Sequence, residues 1–143
     1  MKIRELALGD KEPFLNLLSH LNNVGDYYSD ECLWFEVYKK QKESNTICFV
    51  VEINKEIVAT GSIHWQQRFL HSGGISGQIE DVVVLPDYRG RGVFKKLMSF
   101  LEKELFENIG CYKISVHCDV EIKNIYKHLG YKNEDVLVVK RAP

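Results

Sequence analysis

The chain has 143 residues, 45% hydrophobic and 27% charged, with a formal net charge of -1 at pH 7. That length suits one domain, residues 1–143, with a sizeable core, and the composition is that of an ordinary soluble globular protein. The balanced charge gives no reason to expect nucleic acid or an anionic membrane as partner, and no apolar run approaches the about 20 residues of a membrane helix. Lys2, Arg4 and Glu5 interrupt the start before any apolar segment, so a secretory signal is not expected and the cytoplasm is. Cys32, Cys48, Cys111 and Cys118 are scattered without a C-x-x-C pair and are expected as buried thiols. His117, Cys118, Cys111 and His128 match no standard zinc spacing, so no metal is expected.

In chain order, residues 2–6 predict a short strand. Asp10 is the expected N-cap of a first helix, with Pro13 in its first turn, where a missing N–H costs little. Phe14, Leu17, Leu18 and Leu21 follow at helical spacing. Residues 22–29 are rich in turn formers, and Ser29 is placed to cap a second helix to about residue 42, with Leu33, Trp34, Val37 and Tyr38 on one stripe. Two β-branched runs, 46–53 and 57–66, flank Asn54-Lys55-Glu56 as a hairpin. Residues 68–77 form a longer, glycine-containing connection. Its mixture of Phe69 and Leu70 with Arg68 and His71 suits a solvated loop or a substrate-binding loop equally.

Residues 77–92 are the stretch around which the rest is arranged. Val82, Val83, Val84 and Leu85 form an unbroken apolar run, the pattern of a strand buried on both faces. Pro86-Asp87 ends it, and Arg89-Gly90-Arg91-Gly92 leads into a helix with Phe94, Leu97, Met98, Leu101 and Leu105 on one stripe, closed by Gly110. Glycines and arginines at a helix N-terminus make an anion site, which points to a phosphate-bearing cofactor. Residues 112–116 predict a further strand, parallel to 77–85 because a helix crosses between them. Asp119 is placed to cap a last helix carrying Ile122, Ile125, Tyr126 and Leu129, with Gly130 at C′, and residues 136–141 predict a closing strand. The fold class is mixed α/β, in the order β-α-α-β-β-β-α-β-α-β.

Arg89-Gly90-Arg91-Gly92 after an apolar strand, with a later helix carrying Tyr126 and ending Leu129-Gly130-Tyr131, resembles the GNAT superfamily of acetyl-CoA-dependent N-acetyltransferases. The ordered set Phe69-Leu70-His71-Ser72, Ile79-Glu80-Asp81-Val82-Val83-Val84 and Gly110-Cys111-Tyr112-Lys113-Ile114 is similar to the glucosamine 6-phosphate N-acetyltransferase family within it, over residues 21–141. The resemblance implies a central mixed sheet flanked by helices, with a parallel strand pair splayed at the cofactor site. It also implies direct acetyl transfer from acetyl-CoA to the sugar amine in a ternary complex, and a homodimer with shared active sites.

By the same resemblance, Val82, Val83 and Val84 would pair with the pantetheine arm, and Arg89, Gly90, Arg91, Gly92, Val93 and Phe94 would cradle the pyrophosphate. Asn22, Arg68, Phe69, Leu70, His71, Glu80, Asp81 and Arg141 would bind the sugar phosphate, with Arg141 acting across the dimer interface. Glu80 or Asp81 would take the amine proton, and strand alternation would let only one of them face the amine. A strand N–H near Val83 would hold the oxyanion, and Tyr126 would protonate the leaving thiolate. Phe94 stands where the superfamily has a small residue, Ile122 where the family has Asn, Asn22 where it has Thr, and His117 where it has an acid near the amine. Histidine titrates near neutrality and can itself serve as a base. Two alternatives stay open: another amino sugar, small amine or protein lysine as acceptor, or a CoA-binding module without catalysis. The two-glycine turn falls short of a dinucleotide fingerprint, so NAD is not expected.

Overall fold

The computed structural model describes every residue except Tyr28, which belongs to the turn-rich 22–29 stretch and lies outside the described residues. In chain order the elements are β1 (Lys2–Glu5), α1 (Lys11–Ser19), α2 (Glu31–Lys42), β2 (Thr46–Ile53) and β3 (Glu56–Gln67). A four-residue helical turn, α3 (Leu70–Gly73), precedes β4 (Ile75–Val84), α4 (Val93–Lys103), β5 (Cys111–Val116) and α5 (Lys123–His128). The strands make one sheet in the order β1-β2-β3-β4-β5. Each neighbouring pair from β1 to β4 is antiparallel, and β5 joins β4 in parallel after the α4 crossover. The mixed α/β expectation and the parallel pair are both observed.

Two cores sandwich this sheet. Phe49, Ala59, Ile63, Ile79 and Val84 pack against Val93, Leu97, Met98, Leu101 and Leu105 on the α4 side. Cys48, Val50 and Val83 pack against Phe14, Leu15, Leu17 and Trp34 from α1 and α2. Val83 and Val84 enter opposite cores, which is why the run in β4 is apolar without alternation. Leu97, Met98, Leu101 and Leu105 are fully buried, each worth roughly 1.5–3 kcal/mol relative to exposure. The helix continues past Lys103 as a π-helical segment, Glu104–Ile109, and stops at Gly110 with φ of 82°. The β2–β3 turn is the two residues Asn54 and Lys55, with φ of 51° and 68°, the left-handed pair that matches strand twist.

Several local expectations are corrected. Asp10 places no side-chain cap on α1; its carboxylate accepts from Ala7 N–H at 2.8 Å and from Arg4 at 2.7 and 3.0 Å. An arginine paired across the loop is a stronger partner than a helix-end amide. Asp30, not Ser29, caps α2, accepting from Leu33 N–H at 2.9 Å, while the Ser29 hydroxyl donates to Asp26 C=O. Leu21 lies beyond the end of α1 and is exposed. β4 starts at Ile75 rather than residue 77, because Arg68 N–H bonds Gly74 C=O at 2.9 Å and closes the loop early. Asp119 makes no side-chain cap, and Ile122 and Ile125 are exposed rather than striped against the sheet. Cys48 and Cys111 are buried, but Cys32 and Cys118 are exposed. The strand expected over 136–141 does not form: Val136, Leu137, Val138 and Val139 are 60 to 87% exposed, and β5 remains the sheet edge. Strand-forming residues make no strand without a partner edge.

Gly77 lets β4 approach the π-helical segment. A Cβ there would stand 2.8 Å from Leu105 Cδ2 and 2.9 Å from Cys111 Sγ, both buried. Gly77→Ala is expected to lower stability by about 1–3 kcal/mol through overpacking. Urea denaturation checks this, and an unchanged midpoint would show that the core yields there.

Candidate active site

β4 and β5 pair only from Ile75 opposite Cys111 to Ile79 opposite Val116. Beyond Ile79, β4 stays on β3 while its other edge opens. Ser62 pairs with Glu80 and Thr60 with Val83, so Asp81 and Val82 together oppose Gly61 alone. Asp81 adopts φ of 52°, the left-handed conformation of a bulge residue. A bulge bends its strand and increases twist, which carries the end of β4 away from β5. Leu85 N–H donates to Val58 C=O at 2.9 Å. Alternation then turns Val83 N–H to β3 as well, and Val82 and Val84 N–H to the open edge. The open-edge donors are therefore Val82 and Val84, on either side of Val83.

A polar cluster lines the mouth of the splay. Register places Ser62 with Glu80, His64 with Gln78, and Gln78 with Ser115, so His117, two residues on, shares their face. Gln78 Nε2 donates to Glu80 Oε1 at 2.7 Å and lies 2.6 Å from His117 Nδ1. His64 Nε2 and His117 Nδ1 each stand 3.7 Å from Glu80 Oε1. Burial, then the charge of Glu80, raises the Asp81 carboxyl above its ordinary value. Burial likewise raises the Cys48 thiol, with a further push from Asp81. Cys48 lies on the Ser62 face, where the Ser62 hydroxyl bonds its sulfur at 3.2 Å. Asp81 is the extra residue of the bulge, so strict alternation with Glu80 is interrupted there.

Past the splay, the chain forms a cradle of backbone donors. Gly90 and Gly92 take φ of 72° and 79°, with open space where a side chain would stand. Lys96 N–H is bonded to Gly92 C=O at 3.1 Å, so Val93, Phe94 and Lys95 keep the unpaired N–H groups of a helix start. Arg89 Nε donates to Val84 C=O at 3.0 Å, and the Arg91 guanidinium lies 5.5 Å over the Tyr88 ring. The Phe94 ring packs edge-on against Tyr126 at 5.7 Å, and Tyr126 against Tyr131 at 5.8 Å. Tyr126 is buried, and burial, then the neighbouring Cys118, raises its phenol above the ordinary value, so it remains a proton donor at neutral pH. A groove of about 720 Å³ runs beside β5, lined by His117, Cys118, Tyr126 and the tail as far as Leu137.

Glu80, His117 and the open-edge backbone thus meet at one mouth, with Tyr126 on the groove next to it and Phe94 packed against Tyr126. The remaining sequence-predicted residues stand apart. Asn22 lies in the turn after α1, its carboxamide accepting from Asn23 N–H at 2.8 Å. Arg68, Phe69, Leu70 and His71 sit at α3, where His71 stacks on Tyr112 at 4.4 Å and Phe69 is fully exposed. Arg141 lies in the exposed tail. Among the described residues, no hydrogen bond or ring contact ties these to the Glu80 cluster. Sequence reasoning missed Gln78 and His64. Spacing of two between Gln78 and Glu80 was the available signal, since such residues share a strand face.

Residues 12–131 match the family described as Acetyltransferase (GNAT) family. The chain belongs to the GNAT acetyltransferase family, and its splayed β4–β5 pair is the fold geometry the resemblance implied. A protein of Arabidopsis thaliana named glucosamine 6-phosphate N-acetyltransferase is 35% identical over 142 residues, covering 97% of this chain and 95% of that one. A protein of the same name from Trypanosoma brucei brucei is 30% identical over 132 residues, covering 92% and 89%. The crystal structure of the glucosamine-6-phosphate N-acetyltransferase from Arabidopsis thaliana matches with a TM-score of 0.89 at 32% identity, covering 98% of this chain and 97% of that one.

The raised pKa of Asp81 makes a stability prediction. The folded chain holds this proton more tightly than the unfolded chain, so ionisation above the folded value costs stability, and the cost vanishes below the unfolded value of about 3.9. Asp81→Asn is expected to raise the thermal midpoint at neutral pH and leave it nearly unchanged below about pH 3.9. A lower midpoint at neutral pH would contradict this account.

Proposed function

We propose that the chain transfers the acetyl group of acetyl-CoA to the amine of glucosamine 6-phosphate, by direct attack in a ternary complex, giving N-acetylglucosamine 6-phosphate and CoA. The observation that carries this reading is the likeness to the Arabidopsis enzyme over nearly the whole of both chains. The residues present suit acetyl-CoA. Gly90 and Gly92 leave the turn open, the start of α4 offers unpaired N–H groups to the phosphates, and the open edge at Val82 and Val84 can pair with the pantetheine arm. Bound there, acetyl-CoA supplies an activated acyl carbon.

The chain's own residues then divide the work. A carboxylate at the mouth attracts the sugar ammonium and takes its proton, which frees the nitrogen lone pair for attack. The open-edge N–H of Val82 is fixed by the bulge and meets the negative charge that develops on the carbonyl oxygen without reorganising. Tyr126 donates its phenolic proton to the departing sulfur, and Phe94 fixes the ring that carries it. Arg89, held at the end of β4, and Arg91 add positive charge at the phosphate end. The four free thiols support a reducing, cytoplasmic setting.

The working unit in this reading is a homodimer. Val136 to Val139 are a run of exposed apolar residues beside the unpaired β5 edge, with Ile122 exposed just before α5 and Ile125 exposed on it. Such a patch calls for a partner, and a second copy would bring Arg141 to the sugar phosphate. Val136→Lys with Val138→Lys is expected to shift sedimentation from dimer to monomer and to remove sugar-phosphate turnover. A monomeric wild-type protein with full activity would overturn the dimer.

Free-thiol release from acetyl-CoA tests the reaction itself. Glucosamine 6-phosphate should support turnover and unphosphorylated glucosamine should not. Normal acetyl-CoA binding without turnover on the sugar phosphate would sink the assignment. Tyr126→Phe should lower kcat by about 10²-fold with little change in acetyl-CoA affinity. Equal turnover would reduce Tyr126 to a packing role.

A further inference from the structure

We propose that Gln78 fixes the tautomer of His117, so that the two groups at the mouth have opposite tasks: Glu80 accepts the amine proton, and His117 presents an N–H to an oxygen of the acceptor. The geometry stands by itself, while the catalytic consequence rests on the transferase reading above.

A carboxamide nitrogen carries two hydrogens and accepts nothing. Gln78 Nε2 has two neighbours at bonding distance, Glu80 Oε1 at 2.7 Å and His117 Nδ1 at 2.6 Å. One hydrogen goes to each. The opposite amide orientation would set the Gln78 oxygen against the Glu80 carboxylate, acceptor against acceptor. With the nitrogen inward, His117 Nδ1 must carry a lone pair, and neutral imidazole then has its single proton on Nε2. His117 consequently has no lone pair to offer a substrate: Nδ1 is engaged and Nε2 is protonated.

The acceptor in this network is therefore Glu80. The Gln78 hydrogen bond and the approach of His64 Nε2 both converge on Oε1, which leaves Oε2 for the incoming ammonium. The His117 Nε2–H suits an amine that carries oxygen beside it, as an amino sugar does with its hydroxyls. A simple alkylamine or a lysine side chain has no such oxygen. Gln78 is thus a positioning residue and His117 a specificity contact.

The test combines long-range proton–nitrogen NMR of the full-length ¹⁵N-labelled protein, above the histidine titration range, with steady-state kinetics. Wild type should show His117 protonated on Nε2 alone. Gln78→Glu supplies only acceptors and should move a proton onto Nδ1; Gln78→Met, without donor or acceptor, should give a mixture. Nδ1–H in wild type, or an identical pattern in the Gln78→Glu and Gln78→Met proteins, would overturn the tautomer assignment. His117→Asn keeps a donor without a titrating base and should retain kcat within about tenfold while raising KM for glucosamine 6-phosphate. Glu80→Gln should lower kcat by about 10²-fold. The reverse ranking would make His117 the base. If wild type itself failed to turn over the sugar phosphate, the transferase reading would fall while the NMR result still decided the tautomer.

Discussion

The bulge at Asp81 and Val82 opposite Gly61 is the constraint on which the site depends. It holds Asp81 in a left-handed conformation that L-residues enter only at an energetic cost, and surrounding pairing fixes it there. Downstream, the extra residue re-aims the end of β4 so that β5 cannot follow it. Upstream, after a register shift between Ile75 and Ser76, the pairs from Ser76 to Ile79 stay regular and anchor the mouth to the core. Gly61 is the necessary counterpart: a Cβ there would come within 2.8 Å of Leu101 Cδ1 on the face packed by α4. Backbone geometry thus creates the opening, and side-chain packing keeps it open.

Around that opening, groups are held away from their ordinary acidities for different reasons. Burial beside Glu80 disfavours charge on Asp81, and burial favours the neutral phenol at Tyr126. The first is a carboxyl placed where a free chain would not choose it. The second is a donor preserved where a proton is needed. Tyr126 belongs to the α4-side core, whereas Asp81 lies at the accessible end of the bulge, so the donor is held by packing and the carboxyl by backbone geometry.

What was legible in the sequence was what local periodicity dictates. The stripe Leu97, Met98, Leu101 and Leu105, the double-sided run at Val83 and Val84, and the glycine turn into α4 each follow from spacing alone. Helix caps were less legible, because Asp10 had a better partner in Arg4 and Asp30 lay one residue beyond Ser29. The bulge at Asp81, and the Gln78 contact to His117, depend on register between three strands, which no single segment encodes. The 136–141 segment has the composition of a strand, but composition cannot say whose edge it will meet.

The strand order of the sheet is also the order of the chain, and this has a consequence for how the molecule assembles. β2 to β3 closes over two residues and β3 to β4 over a short loop, so these pairings bring together segments close in sequence. Both edge strands must wait for helices: β1 joins β2 across α1 and α2, and β5 joins β4 across α4. Contact-order reasoning then makes these two pairings slower to form than the β2–β3–β4 meander, and the short, exposed-edge β5 ready to open again. The mouth of the active site lies at one of these seams, between an early-folding meander and a later-arriving edge.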